Sequence, residues 1–260
     1  MLTPELMGAL ALAVMWTATL LIVAVSWGDL EKLLRRKSRL DATTFAARII
    51  RGAPLAELEV SEVGRAKPRA KRQTILFHPR WQRGHIEGGA VAIGDRSIEI
   101  PPLDPAASEV WPRAAAPDPG ASFDDAYREA SRTKGISRTV KHVYREGEAI
   151  FVSGELRGET LFPAPDPTRP GEAPTLVIAP IDPRDWYARK IALSFAGIAG
   201  FLGSAAAVTA LALFADPAWV NGAALLGIAQ FLGAQPLGVA LRDAVRAPDR
   251  AIVHHDWSAV

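Results

Sequence analysis

Basic residues are absent from two long stretches of this chain, 1–27 and 191–241; all 30 lysines and arginines fall in 28–190 and 242–260. The only acids in the bare stretches are Glu5 and Asp216. A chain folded wholly in water spreads charge over its surface. This segregation instead predicts a membrane protein with one sizeable water-exposed domain. Leu6 to Trp27 carries no charge and makes ~33 Å of helix, against a bilayer core of ~30 Å. Residues 191–215 and 217–241 are as bare, with Asp216 and Pro217 at their junction, and predict a tight helical hairpin. The expected fold class is therefore three transmembrane α-helices with a β-rich, α+β domain between the first and second spans. The divisions read as span one over 6–27, a juxtamembrane amphipathic helix over 28–51, a β-rich domain with Pro-rich inserts over 52–188, spans over 191–215 and 217–241, and a tail over 242–260.

The first span reads as a retained anchor. MLTPEL carries an acid where a signal peptide carries basic residues, the apolar run is long, and no A-x-A site follows it. Orientation follows the Lys/Arg bias at the span ends. Lys32, Arg35, Arg36, Lys37 and Arg39 follow span one; Arg184, Arg189 and Lys190 precede span two; Arg242, Arg246 and Arg250 follow span three. The N-terminus and the hairpin loop have none. This predicts the N-terminus outside, with the central domain and the C-terminus in the cytoplasm, in a bacterial plasma membrane.

The spans hold no Asp, Glu, Lys, Arg or His, so ion pathways and proton relays lack their usual groups. Small residues recur instead at helix-packing spacing. Ala196, Gly200 and Ser204 are four apart, Gly203 sits in a second such series, and Gly227 and Gly233 lie on span three. Such residues let helix backbones approach closely in lipid, within the hairpin or in a homo-oligomer.

After span one, Leu30, Leu33, Leu34, Leu40 and Phe45 fall near one helical face. Gly52 and Pro54 break that helix. AVAI, Gly94–Asp95 and RSIEI predict a β-hairpin, VYREGEAIFVSGEL a second around Glu146–Gly147, and residues 175–181 a short apolar strand. Six prolines between 101 and 119 predict a connector outside the core. FDDAYREASR predicts a short helix capped by Ser122, and the Pro-rich insert from Phe162 to Pro174 joins two strands.

The most charged stretch, residues 64–85, contains Arg65, Lys67, Arg69, Lys71, Arg72, Arg80 and Arg83 and no acid. Such a run attracts phosphate. It reads as a solvated loop near an anionic membrane or, more specifically, as a surface for anionic lipid headgroups or a protein partner. No nucleic-acid motif frames Phe77 and Trp81, so nucleic acid is not the expected partner.

Recognisable reaction chemistry is missing. Zero cysteine removes disulfides, Cys-ligated zinc, iron–sulfur clusters and a thiol nucleophile. There is no P-loop, no dinucleotide fingerprint and no nucleophile elbow, and Ser153 stands alone. His78 and His85 lack a carboxylate at ligand spacing, and His254, His255 and Asp256 sit on a short tail. No catalytic, cofactor or metal residue is assigned.

KHVYREGEAIFVSGELRGETL, followed by TLVIAPIDPRDWYARKIALSFAGIAG, resembles the end of the "beside a membrane" domain of mitochondrial membrane ubiquitin ligases and their bacterial relatives. In that pattern a pre-strand and G-[DE] precede a strand ending in G-E. A terminal strand and a short helix then enter a transmembrane span. Gly147–Glu148, Gly154–Glu155, Leu176–Ile178 and Trp186 occupy those places. The resemblance covers 141–200 and, loosely, 50–110. It implies a β domain held beside the bilayer. The chain departs from the ligases in having no RING, since a RING needs cysteines. The mitochondrial members also place this domain away from the cytosol, whereas the charge bias here points inward. The expected function is a non-enzymatic scaffold, a module for protein or lipid interaction at the membrane surface. The alternative is a membrane-associated hydrolase or ligase accessory.

Overall fold

A computed structural model of the chain describes residues 4–52, 54–69, 72–113, 122–133, 135–166, 171, 173–214, 227, 229–230, 232–233 and 255–258. The chain divides into two compact units, one of residues 1–37 with 185–247 and one of 38–184 with 248–260.

The first unit contains the helices. Helix α1 (Pro4–Thr43) runs for 40 residues. That is about 60 Å, twice the thickness of a bilayer core. Its N-terminal half is long and apolar enough to cross a membrane, and so is α3 (Pro183–Phe214). Trp16 donates its indole N–H to Thr209 Oγ1 at 2.9 Å, tying the two helices together. The third expected span lies outside the described residues except for helical positions 227, 229, 230, 232 and 233.

Beyond Trp27, α1 buries Leu30, Leu33 and Leu40 at helical spacing while Leu34 stays exposed. The helix was expected to reach residue 51; it ends at Thr43, and Thr44–Arg51 is strand β1. The cause is local. Thr43, Thr44, Phe45, Ile49 and Ile50 are β-branched or aromatic, lose χ1 freedom in a helix and pack well on a pleated surface. Ala47 and Ile49 turn inward with Phe45 packed against the same core, while Thr44, on the other face by strand alternation, is also buried.

The second unit is built from two sheets and a short helix, α2 (Phe123–Arg132). Its strands are β1, β2 (Ala56–Arg69), β3 (Arg72–Ile86), β4 (Gly89–Ile93), β5 (Arg96–Ile100), β6 (Ser108–Val110), β7 (Ile136–Tyr144), β8 (Ala149–Ser153), β9 (Glu155–Arg157), β10 (Thr160–Phe162), β11 (Leu176–Ala179) and β12 (His255–Ser258). One sheet has the order β6-β11-β8-β1-β4-β5-β10-β9, the other β12-β3-β2-β7. The first is antiparallel except where β10 meets β5 and β11 meets β6. The core between them gathers Ile49, Leu58, Val60, Ile86, Val91 and Ile98 with Tyr144, Val152 and Ile178.

The β4–β5 hairpin forms as expected, with Gly94 at φ +59° in its turn. The second expected hairpin does not. β7 pairs with β2 in one sheet, and β8 pairs with β1 and β11 in the other. Glu146–Gly147 therefore carries the chain between sheets, Gly147 at φ +88° donating its N–H to Ile49 O at 2.8 Å. The proline-rich stretch is also corrected in part. After a 3₁₀ turn at Pro105–Ala107 it forms β6, and Val110 and Trp111 are buried. Proline suits this place because β6 is an edge strand. Ser122 precedes α2 without a side-chain capping bond; its carbonyl accepts from Ala126 N–H at 3.1 Å.

Candidate interaction surface

The acid-free stretch 64–85 is not a loop. It forms the distal and returning parts of the long β2–β3 hairpin. β7 supports β2 only as far as Gly64, so the pairs from Arg65↔Leu76 to Arg69↔Arg72 extend beyond it. β12 flanks the far side, with His255 opposite Phe77 and Ser258 opposite Thr74. The register separates the basic residues. Arg65, Lys67 and Arg69 lie on the distal part of β2, and Arg72 stands across from Arg69. Arg80 and Arg83 lie nearer the base, and Lys71 is outside the described residues. Arg65, Arg80 and Arg83 are exposed.

A bulge organises the middle of the hairpin. Ser61 faces Trp81 and Glu62 faces Pro79, leaving Arg80 as the extra residue. The insertion reverses the inward parity of β3. Ile75 and Phe77 point inward before it, Gly84 and Ile86 after it. Beside the bulge Glu62 is fully buried and ion-paired to Arg138 at 2.8 Å. The Arg138 guanidinium lies 3.6 Å from the Phe77 ring centroid, joining charge pairing to cation–π contact.

At the base, the outward positions of β7, β2 and β3 form an array. Val143, Glu57 and His85 make one row, Lys141, Glu59 and Arg83 the next, and Thr139, Ser61 and Trp81 the third. A groove of about 460 Å³ lies here, lined by Glu57, Glu59, Arg83, His85, Lys141 and Pro105. Lys141 Nζ reaches Glu57 Oε2 at 2.6 Å, and His85 Nε2 lies 3.5 Å from Glu87 Oε1. Sequence reasoning grouped Arg83 with the basic run. It missed the groove because Glu57, Glu59 and Lys141 come from strands far apart in the chain.

The glycine–acid pairs carry structure. Glu148 receives both arms of the Arg113 guanidinium, one at 3.0 Å, and the Arg145 N–H at 2.9 Å. These donors hold its carboxyl below the usual carboxylate range, with the Arg113 bond the main cause. Arg113 stacks 4.2 Å from the Tyr144 ring, whose hydroxyl donates to Trp111 O at 2.7 Å. Burial pushes the Tyr144 phenol up to about 12. Gly154 packs so tightly that a Cβ there would stand 2.5 Å from Phe162 O. Near the end of α1, Arg39 pairs with Asp166 at 3.5 Å and donates to Ala164 O and Thr175 O at 2.7 and 2.8 Å.

In the helical unit the small residues do not share one role. Ala196, Gly200, Gly203 and Ser204 are exposed on α3, away from buried Ser194, Ile198 and Ala205. A Cβ at Gly200, Gly203 or Gly233 would meet nothing within 4 Å. Gln230 donates to Ser204 Oγ at 2.9 Å. Gly227 is buried against α1, where its Cβ would lie 3.8 Å from Ala11 O.

Among the described residues no three His, Asp or Glu side chains are grouped to hold a metal ion. Comparison with protein-family models, with curated proteins and with solved structures finds no match.

Proposed function

We propose that this chain is a three-span membrane protein whose β unit is a non-enzymatic interaction module, docking through the distal β2–β3 hairpin onto anionic lipid headgroups. The observation that carries this reading is the hairpin itself. Arg65, Lys67, Arg69 and Arg72 occupy its distal part, and the sequence 64–85 that includes Lys71 holds no acid, whereas Arg83 stands opposite Glu59 at its base. Each Lys or Arg near an anionic surface contributes about 1 kcal/mol, decaying within a Debye length of ~8 Å. Several together suffice to orient a domain already tethered by spans.

The tail supports the topology. β12 pairs with β3, so the chain that leaves the β unit through α3 returns to it. Return from a membrane-crossing α3 requires a second crossing, and 217–241 is the uncharged stretch available. With the Lys/Arg bias, this supports an outside N-terminus and a cytoplasmic β unit in a bacterial plasma membrane. The order of span, β unit and span, with Gly147–Glu148 at the turn between the sheets and Gly154 at the bend between β8 and β9, supports kinship with the beside-a-membrane domain.

The chain has no cysteine, so a thiol introduced at Gln73 can be labelled uniquely with an environment-sensitive fluorophore. In the full chain in nanodiscs, the label is expected to shift blue in anionic over zwitterionic lipid at low salt. High salt should remove the shift, and so should Gln at Arg65, Lys67, Arg69, Lys71 and Arg72. Identical spectra in both lipids would overturn the proposal.

A further inference from the structure

The groove at the base of the hairpin has an unusual charge arrangement. Two of its carboxylate partnerships are made: Lys141 holds Glu57, and His85 lies beside Glu87. Glu59 and Arg83 stand directly opposite each other in register, where cross-strand ions ordinarily pair. Among the described residues neither has an ion pair, and both are exposed. At the next outward position along β3, Trp81 is 47% exposed.

We propose that this groove binds a compact zwitterion carrying one ammonium and one oxyanion. Glu59 receives the ammonium, and the indole face of Trp81 offers it a cation–π contact. Arg83 takes the oxyanion with its planar donor fork. With His85 neutral, the lining charges of Glu57, Glu59, Arg83 and Lys141 sum to zero. A lone anion therefore meets Glu59 and a lone cation meets Arg83; only a molecule carrying both charges satisfies both. Rejection of singly charged ligands by the mismatched group is what gives the site its selectivity. Pro105 adds an apolar contact to the lining. The chemistry is shared by a phosphoethanolamine headgroup and a free amino acid.

The test uses the full chain in neutral detergent micelles at low salt, titrated calorimetrically. The probes are glycerophosphoethanolamine, glycine, ethanolamine and glycerol phosphate. A zwitterion is expected to bind roughly tenfold or more tighter than either singly charged probe. Tighter glycerophosphoethanolamine identifies the lipid source, tighter glycine the amino-acid source. Glu59→Gln and Arg83→Gln should each weaken zwitterion binding by about tenfold or more with an unchanged melting temperature, since both side chains are exposed. Exchanging the charges, Glu59→Arg with Arg83→Glu, should recover most of the loss, because the lining stays neutral. Binding of glycerol phosphate or ethanolamine as tight as that of the zwitterions would overturn the proposal. So would absence of binding by every probe, or single variants that bind like the parent.

Discussion

Glu148 shows how a motif that reads as a surface turn becomes a fixed point. Its carboxyl is held by Arg113 and by the Arg145 N–H, and its folded pKa lies below the ordinary 4.5. A depressed carboxyl stabilises the fold above its unfolded pKa and loses that contribution as pH falls through the folded value. Melting temperatures of parent and Glu148→Gln should therefore differ at neutral pH and converge as pH drops below 4.5. A constant gap would remove the ion pair as the cause. Gly154 is constrained by space. Gly154→Ala should cost about 1–3 kcal/mol by overpacking against Phe162 O, measured by thermal unfolding of the β unit. The alternation in Gly89–Ile93 and Arg96–Ile100 was legible because one face packs inward. The role of Glu62 was not, because Arg138 lies 76 positions away in sequence.

Elements extend the same lesson. The hairpin at 64–85 escaped recognition because the bulge at Arg80 reverses the period-two pattern and Pro79 interrupts it, leaving basic composition as the visible signal. The strand that replaces the end of the expected juxtamembrane helix was signalled by its β-branched residues but outweighed by the apolar stripe leading into it. Arg39 at the end of α1 should be a costly position. Arg39→Met removes the guanidinium that pairs with buried Asp166 and the second donor to each of the Ala164 and Thr175 carbonyls, which keep their backbone N–H partners, and should destabilise by about 3–5 kcal/mol. Asp166→Asn should cost less, because Arg39 keeps both carbonyls. Chemical denaturation with equal slopes for the two variants checks the ranking. Deleting 248–260 should speed amide hydrogen exchange at Thr74–Phe77, opposite β12, and leave Leu58 and Val60, paired on both sides, unchanged. Unchanged exchange at Thr74–Phe77 would show that the tail strand adds no protection.

For the whole molecule, charge segregation made two helices long and apolar enough to cross a membrane, and the β unit between them, legible from sequence, since a bilayer excludes charge whatever fold is chosen. The sheet order was hidden because it depends on pairings between distant segments. Reporter fusions after residue 60 and at the C-terminus are expected to report the same compartment, with a fusion at Asp216 reporting the opposite one. Different compartments for the first two would break the topology proposed here. Connectivity has a mechanical consequence. α1 passes into β1 without a linker, and β11 is separated from α3 only by Pro180, Ile181 and Asp182. β1 and β11 flank β8. Both covalent links between the long helices and the sheet therefore enter it on strands that border β8, so a force carried along either helix reaches the two ladders of that one strand first.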